Sequence, residues 1–188
     1  MAVERESFLS VLEDSYTAYY NINKEDLPQD LPIVFKADYF RRGEKYWLSK
    51  SIPIWGNETN EFAFVFSSEV ITVSQIEKAI QYALDDGLPR VKPHKEHQYT
   101  NIKTVFIANQ FEDGALDLIK KKKFSKSYHW SLWGYTNLIC CGVNTETEQV
   151  AVNKVGHDMQ AYFKKLFAAQ HKKKDWAVTD KSHTIKIL

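Results

Sequence analysis

The chain has 188 residues, 44% hydrophobic and 26% charged, which predicts a folded domain with a substantial core and excludes a disordered chain. A formal net charge of +1 provides no long-range attraction to nucleic acid or to an anionic membrane. No apolar run is long enough to cross a bilayer, and two adjacent cysteines do not make a disulfide framework, so we expect a cytoplasmic protein without a membrane partner.

Apolar residues near the amino terminus predict a helix. Phe8, Leu12, Tyr16 and Tyr19 recur at helical spacing, so we expect one buried face. Residues 21–32 contain Asp, Asn and two prolines, which predicts that a connector follows the helix.

Residues 33–71 predict a group of strands. β-branched and aromatic residues flank residues 42–44, which predicts a hairpin that turns there. A second turn is predicted at residues 56–60. Residues 62–66 are apolar at every position, which is typical of a central strand that is covered on both faces.

The best-marked helix begins after Thr72. Thr72 and Gln75 have the spacing of a capping box, in which each side chain bonds a free backbone amide of the first turn. Gly87 is predicted at the left-handed position that ends the helix. A buried strand over residues 104–109 and a short helix over residues 112–122 are predicted next.

The segment SYHWSLWGYTNLICCGVN, residues 127–144, predicts two strands that bend or turn near Gly134. A third strand is predicted at residues 148–153, and a helix with a clear apolar stripe at residues 158–170. Residues 171–188 predict a basic and polar tail that is loosely ordered or adds an edge strand.

Alternation along the first strand of this segment assigns its side chains to two faces. The first face is predicted to lie in the core, and the second to line a pocket or to lie half exposed. The first set is Tyr128, Trp130 and Leu132, and the second is His129, Ser131 and Trp133. His129 and Trp133 are therefore candidate ligand-binding residues.

These elements predict an α/β (α+β) fold with a single domain over residues 1–170. The strand, helix, strand passage favours a parallel right-handed crossover, and the strands on either side of it make the sheet mixed. About four helices are expected, distributed over both faces of the sheet.

Motifs that would carry metal or nucleophilic chemistry are weak. His94 and His97 are three residues apart, but neighbouring prolines predict a solvated loop there. Cys140 and Cys141 are expected to point to opposite faces of a strand, so they cannot bind one metal together. Nucleotide-binding, phosphate-binding, serine-hydrolase and zinc-protease signatures are absent from the sequence, and no cofactor is predicted.

Two lysine clusters, at residues 120–126 and 172–174, leave a nucleic-acid-binding module as a third alternative. The near-neutral net charge disfavours nucleic acid as a partner, and helix-end charge explains the first cluster equally well.

The order of elements over residues 39–143 resembles the core of the restriction-endonuclease-like PD-(D/E)XK enzymes. That family requires an acid on one strand and, on the next, Glu or Asp followed by any residue and Lys. Here Phe62 and Ala63 follow Glu61, so the catalytic lysine of the motif is absent and the resemblance implies topology only. A metal-dependent hydrolase or phosphodiesterase with a scattered site is the alternative function, with candidate acids Asp38, Glu58, Glu61 and Glu69.

Polar residues follow the two predicted parallel strands. In open α/β sheets, ligands bind at the carboxyl ends of such strands. Ser67, Ser68 and Glu69 follow one strand, and Asn109 and Gln110 follow the other. These groups either bind a polar ligand or cap the helices that come next.

The succession W-G-Y at 133–135, C-G-V-N at 141–144 and V-N-K-V-G at 152–156 resembles bacterial domains of unknown function. That resemblance implies a bacterial cytoplasmic protein and no particular activity. We therefore expect a non-catalytic domain that binds a small ligand or a protein and that self-associates as a homodimer through an edge strand or an exposed aromatic surface.

Overall fold

A computed structural model describes the backbone of residues 3–46 and 53–184, and the side chains within residues 3–43 and 57–172. The strands are β1 Asn21–Asn23, β2 Ile33–Tyr46, β3 Pro53–Ile71, β4 His97–Phe111, β5 Ser125–Ser127, β6 Tyr135–Asn144 and β7 Val150–Val152. The α-helices are α1 Arg5–Thr17, α2 Val73–Gly87, α3 Ala115–Lys121 and α4 His157–Thr184. Short 3₁₀ turns lie at Leu88–Arg90 and Lys154–Gly156.

The seven strands form one mixed sheet, which confirms the predicted fold class. β3, β4 and β6 are parallel neighbours at its centre. β1 and β2 extend the sheet beyond β3 in antiparallel pairs. On the far side of β6, β5 pairs with its first residues and β7 with its last ones, so these two short strands share one edge.

Each face of the sheet carries two helices and its own hydrophobic core. Along β3, Phe62, Phe64 and Phe66 pack under α2 and α3, whereas Ala63 and Val65 pack under α1 and α4. The prediction of a central strand covered on both faces is confirmed, because alternate side chains of β3 enter different cores. The two cysteines divide in the same way, as predicted.

The capping box of α2 is confirmed, and the predicted role of Gly87 is wrong. Thr72 Oγ1 accepts the Gln75 amide at 3.2 Å, and Gln75 Oε1 accepts the Thr72 amide at 2.9 Å. Gly87 has a right-handed φ of −78° because the chain continues into a 3₁₀ turn. A Cβ at Gly87 would lie 2.8 Å from Ile102 Cδ1, so this glycine permits close packing of α2 on β4.

Both turns predicted in residues 42–60 are wrong. Gly43 pairs with Asn57 and Tyr46 pairs with Pro53, so the β2–β3 hairpin continues through both predicted turns. Residues 47–52, between the two strands, lie outside the described residues. Before Glu58, β3 pairs with β2 and not with β4, so the two strands form a two-stranded arm. The polar, glycine-containing sequence that predicted turns lies in this arm.

β4 begins seven residues earlier than predicted, at His97. His97 is buried, in contrast to the solvated loop that was expected. Its Nδ1 donates to the carbonyl oxygen of Trp133 at 2.8 Å, and its Nε2 lies 2.9 Å from Thr100 Oγ1. Both ring nitrogens are therefore satisfied, and the imidazole joins β4 to the turn that precedes β6.

That turn replaces the predicted first strand of residues 127–144. His129, Trp130 and Ser131 have left-handed φ angles of 46°, 56° and 66°, which an extended strand does not allow. Trp130 is 93% exposed and Leu132 is 71% exposed, so their predicted place in the core is wrong.

The terminal helices differ from prediction at their carboxyl ends. Phe8, Leu12 and Tyr16 are buried as predicted, but α1 ends at Thr17, and Tyr19 is exposed. Residues 171–184, which were predicted as a tail or an edge strand, continue α4, and residues 185–188 lie outside the described chain. None of the described helices has both the length and the apolar character that a membrane-spanning helix requires.

Gly134 is the most constrained glycine of the turn before β6, which provides a stability test. Its φ is +74°, and an added Cβ would lie 2.4 Å from the Gln98 carbonyl oxygen. We expect Gly134→Ala to lower the free energy of unfolding by at least about 3 kcal/mol, from left-handed strain plus a backbone clash. Gly114→Ala is the matched control, since Gly114 has a φ of +82° with nothing within 4 Å of the added Cβ. Urea denaturation should show a loss of unfolding free energy of about 1 kcal/mol for the control. Equal losses in the two variants would contradict the predicted clash.

Candidate functional site

On the face that α1 and α4 cover, the parallel strands begin polar and become apolar. Glu61 precedes Ala63 on β3, Lys103 precedes Val105 on β4, and Asn137 precedes the apolar end of β6. The helices pack on the apolar ends, so the polar beginnings of the strands remain partly exposed. This uncovered part of the sheet is the floor of a cleft.

The register of the strands places these polar groups in rows. Glu61, Asn101 and Asn137 are paired neighbours across β3, β4 and β6. In the adjoining row, Tyr99 pairs with Tyr135, and their rings lie 6.0 Å apart at an interplanar angle of 23°. An acid, two amides and an aromatic pair therefore lie side by side on one surface.

The centre of the cleft is a hydrogen-bonded group of three side chains. Lys103 Nζ forms an ion pair with Glu61 Oε2 and donates to Tyr20 Oη at 3.3 Å. The Tyr20 hydroxyl donates to the same Glu61 oxygen. Burial, followed by the hydrogen bond with Glu61, raises the pKa of Tyr20, so its hydroxyl remains protonated at neutral pH. Lysine and glutamate thus neutralise each other at the centre.

Two cavities adjoin at this centre and together form the cleft. The first, which we call the polar cavity, has a volume of ≈ 310 Å³ and is lined by the rows described above and by Val155 and Gly156. The second, the tyrosine cavity, also has ≈ 310 Å³ and lies between α1 and α4. Lys103, Asp158 and Met159 line both cavities.

The amides of the polar cavity are open. Asn101 and Asn137 are half buried, and neither side chain has a hydrogen-bond partner within the described part of the chain. Because polar groups that leave water are normally hydrogen-bonded, two adjacent unpaired amides in a concave surface are suited to a ligand that supplies donors and acceptors.

Asn153 positions the start of α4 against the cleft. Its Oδ1 accepts the amides of Cys140 at 3.2 Å and Gly156 at 3.1 Å. Its Nδ2 donates to the carbonyl oxygens of Leu138 at 2.9 Å and Lys122 at 3.2 Å. One buried amide therefore ties β6 to the turn that leads to Asp158 at the mouth of the cleft. The sequence offered no motif that identifies such an asparagine.

The residues predicted at the carboxyl ends of the strands lie at the opposite end of the sheet. Asn109 Nδ2 donates to Glu69 Oε1 at 3.3 Å, and Asn109 Oδ1 accepts from Thr145 Oγ1 at 3.2 Å. Glu69 and Asn109 line a shallow cavity of ≈ 330 Å³ beside the start of α1. Ser68 is half buried and Gln110 is exposed. The Asn109 amide is thus bonded within the protein, unlike the amides of the polar cavity.

The structure tests whether Ser67 caps the helix that follows β3. Ser67 Oγ is buried and has no hydrogen-bond partner among the described residues. β3 continues past it to Ile71, so the cap of α2 is Thr72 and not a residue of the predicted group. Ser67 therefore does not cap α2.

His129 and Trp133 lie in the turn before β6, at the amino-terminal end of the parallel strands. Their rings stack with centroids 4.7 Å apart, and His129 is exposed. They do not meet Ser67 or Asn109, which lie at the other end of the sheet. As ligand-binding residues, they remain a prediction.

The four acids of the hydrolase alternative do not converge, and three of them each lie beside a different basic side chain. Asp38 pairs with Arg90, Glu58 Oε2 lies 3.2 Å from His94 Nε2, and Glu61 pairs with Lys103. Among the side chains described within residues 3–43 and 57–172, no group of three or more His, Cys, Asp or Glu is placed to hold a metal ion. The fourth acid, Glu69, accepts a hydrogen bond from Asn109, so each of the four acids has its own partner in a different place.

The four hydrogen bonds of Asn153 predict that the stability of the fold depends on its Nδ2 donor. In Asn153→Asp, a carboxylate oxygen would face the carbonyls of Lys122 and Leu138 with no proton to donate. We expect a loss of at least about 3 kcal/mol in unfolding free energy at pH 7. Burial and these carbonyls raise the pKa of the new acid, so part of the loss should be recovered as pH falls.

Asn137→Asp is the matched control for this substitution, since Asn137 is half buried and unpaired. Chemical denaturation of both variants should give a loss below about 1 kcal/mol for the control. A similar loss at both positions would contradict the role assigned to Asn153.

Comparison with protein-family models matches residues 4–165 to the family described as Domain of unknown function (DUF8052). No curated protein and no solved structure matches the chain.

Proposed function

The chain belongs to the DUF8052 family, and we propose that it is a non-catalytic domain that binds a small polar ligand in the cleft. The observation that carries this proposal is the pair of open amides, Asn101 and Asn137, beside the Tyr99–Tyr135 ring pair. Concave sites with a few convergent polar groups and aromatic walls are typical of small-molecule binding.

The state of the reactive side chains supports binding over catalysis. Glu61 is engaged by Lys103 and Tyr20, so it is not poised as a free general base. Burial raises the pKa of Cys140 to about 11 and that of Cys141 well above its usual value, so neither thiol is activated as a nucleophile.

Ligand-observed NMR by saturation transfer tests this proposal. The probes are adenosine, uridine, D-glucose, L-tyrosine, L-glutamate and choline, each measured against the wild-type chain. We expect at least one probe to bind, and we expect Asn101→Ala/Asn137→Ala to weaken that probe by about tenfold, as expected from the loss of two hydrogen-bonding side chains.

The control for this experiment is Asn109→Ala, which removes an amide at the opposite end of the sheet. It should leave binding unchanged. Loss of binding in the control alone would move the site to the group of Ser67, Ser68, Glu69, Asn109 and Gln110. Absence of binding by every probe would count against a small-ligand function.

The compartment and the assembly are further parts of the proposal. We place the protein in the bacterial cytoplasm, which agrees with two free, buried cysteines. We place a homodimer contact on the turn before β6, because Trp130 and Leu132, two residues apart, are the two most exposed of its apolar side chains and exposed apolar surface often marks a protein contact.

Light scattering after size-exclusion chromatography tests this contact. We expect a mass that rises with protein concentration toward twice 21.9 kDa. Trp130→Asp/Leu132→Asp should abolish the rise, because it places charges in the contact. Val70→Asp is the control, since Val70 is an exposed apolar residue near the other end of the sheet. A monomer at all concentrations would contradict the homodimer.

A further inference from the structure

We propose that the tyrosine cavity binds an organic ammonium cation, such as a quaternary or methylated ammonium group. This inference rests on the proposed function, and it names the chemical class of the ligand. Four tyrosines line the cavity: Tyr16 of α1, Tyr19 and Tyr20 in the turn that follows α1, and Tyr162 of α4.

The aromatic walls have the chemistry that a weakly hydrated cation requires. The face of a tyrosine ring carries partial negative charge, so several rings around one volume attract an organic cation. Because such a cation is weakly hydrated, the rings do not have to replace a tightly held water shell. The rings of Tyr16 and Tyr20 lie 4.7 Å apart and are tilted by 40°, so they are not coplanar. One ammonium group already uses this surface, because Lys103 Nζ lies 5.9 Å from the centre of the Tyr20 ring.

The charges around the cavity favour a cation over an anion. Glu61 and Lys103 neutralise each other, which leaves Asp158 as the acid at the boundary of the two cavities. The ion partner described for Asp158 is His157, whose Nδ1 lies 3.8 Å away; the Asp158 side chain is fully exposed and that of His157 is largely exposed to water. A contact of that kind is weak, so the carboxylate is available to a ligand.

Inorganic cations and phosphates fit the cavity less well. Mg²⁺ and Ca²⁺ require six or more oxygen ligands, whereas the walls here are mainly aromatic carbon. A phosphate would need an open basic group, but Lys103 is held by Glu61 and Tyr20. A methylated ammonium group is attracted by the rings and by the carboxylate, and it needs neither six oxygen ligands nor an open basic group.

The two cavities explain how such a ligand would be oriented. With the ammonium group among the tyrosines, its polar remainder would extend past Asp158 toward Asn101 and Asn137. The ligand we infer is therefore a small molecule with a cationic head and a hydrogen-bonding tail, of a size compatible with two adjoining volumes of ≈ 310 Å³.

Isothermal titration calorimetry with two probes of equal shape tests the charge requirement. Choline carries a trimethylammonium head, and 3,3-dimethyl-1-butanol replaces the charged nitrogen with carbon. We expect choline to bind at least about fivefold tighter than the alcohol, which is the range of cation–π stabilisation.

Three variants locate the interaction. Asp158→Asn should weaken choline several-fold and leave the alcohol unchanged. Tyr162→Leu should weaken choline, whereas Tyr162→Phe should retain binding, because phenylalanine keeps the aromatic ring. Asp113→Asn, an exposed acid in the turn before α3, is the matched control and should change nothing. Thermal melting of each variant verifies that it is folded.

The outcomes separate this inference from the function on which it rests. Equal affinity for choline and the alcohol, or choline binding that Asp158→Asn does not weaken, would overturn the cation assignment. If choline fails while another probe of the NMR panel binds and is lost in Asn101→Ala/Asn137→Ala, the ligand class is wrong and the binding function stands. If no probe binds at all, both are wrong.

Discussion

β3 is much longer than α1, one of the two helices that cover this face of the sheet, and the cleft follows from that mismatch. α1 has 13 residues and spans about 20 Å at 1.5 Å per residue. β3 has 19 residues and spans about 60 Å at 3.3 Å per residue. α1 therefore leaves part of β3 to be covered by α4 or by water, and the polar beginnings of the parallel strands are the part that remains partly exposed.

Electrostatics then determines which residues the open end can carry. A lysine and a glutamate that are both largely withdrawn from water cost desolvation energy, and they are tolerated only because each satisfies the other. Tyr20 adds two hydrogen bonds to the Glu61–Lys103 pair, one to each member, and links the helix layer to the sheet. The pair therefore fixes the centre of the cleft in one arrangement, and groups on either side of it remain available.

The sequence predicted the layers of the fold well, because apolar periodicity reports burial directly. The strand at residues 62–66, the capping box at Thr72 and the opposite orientations of the two cysteines were all recovered. The errors are concentrated where polar residues form regular structure. β4 begins among polar residues at His97, and the hairpin arm continues through Gly43, because pairing with a neighbouring strand outweighs local turn preference.

The site was harder to predict than the fold, for a related reason. Ligands in parallel sheets usually bind at the carboxyl ends of the strands, which predicted a site there. The cleft instead lies toward the amino-terminal ends of the strands. Its members, such as Glu61, Asn101 and Asn137, are distant in sequence and meet only through strand register. No single-sequence pattern contains that register. A bend near Gly134 was predicted, but the length of the turn before β6 was missed, because the three successive left-handed residues at its start include no glycine to mark them.

The two adjacent cysteines give this chain an internal pair of reporters. Cys140 belongs to the layer of α2 and α3, and Cys141 belongs to the layer of α1 and α4, although one peptide bond joins them. A thiol reagent can reach either sulfur only when the corresponding helix layer lifts from the sheet. The alkylation rates of the two sulfurs therefore measure local opening on opposite faces of the sheet. Cys141 reports on the face that carries the cleft, and Cys140 reports on the other face.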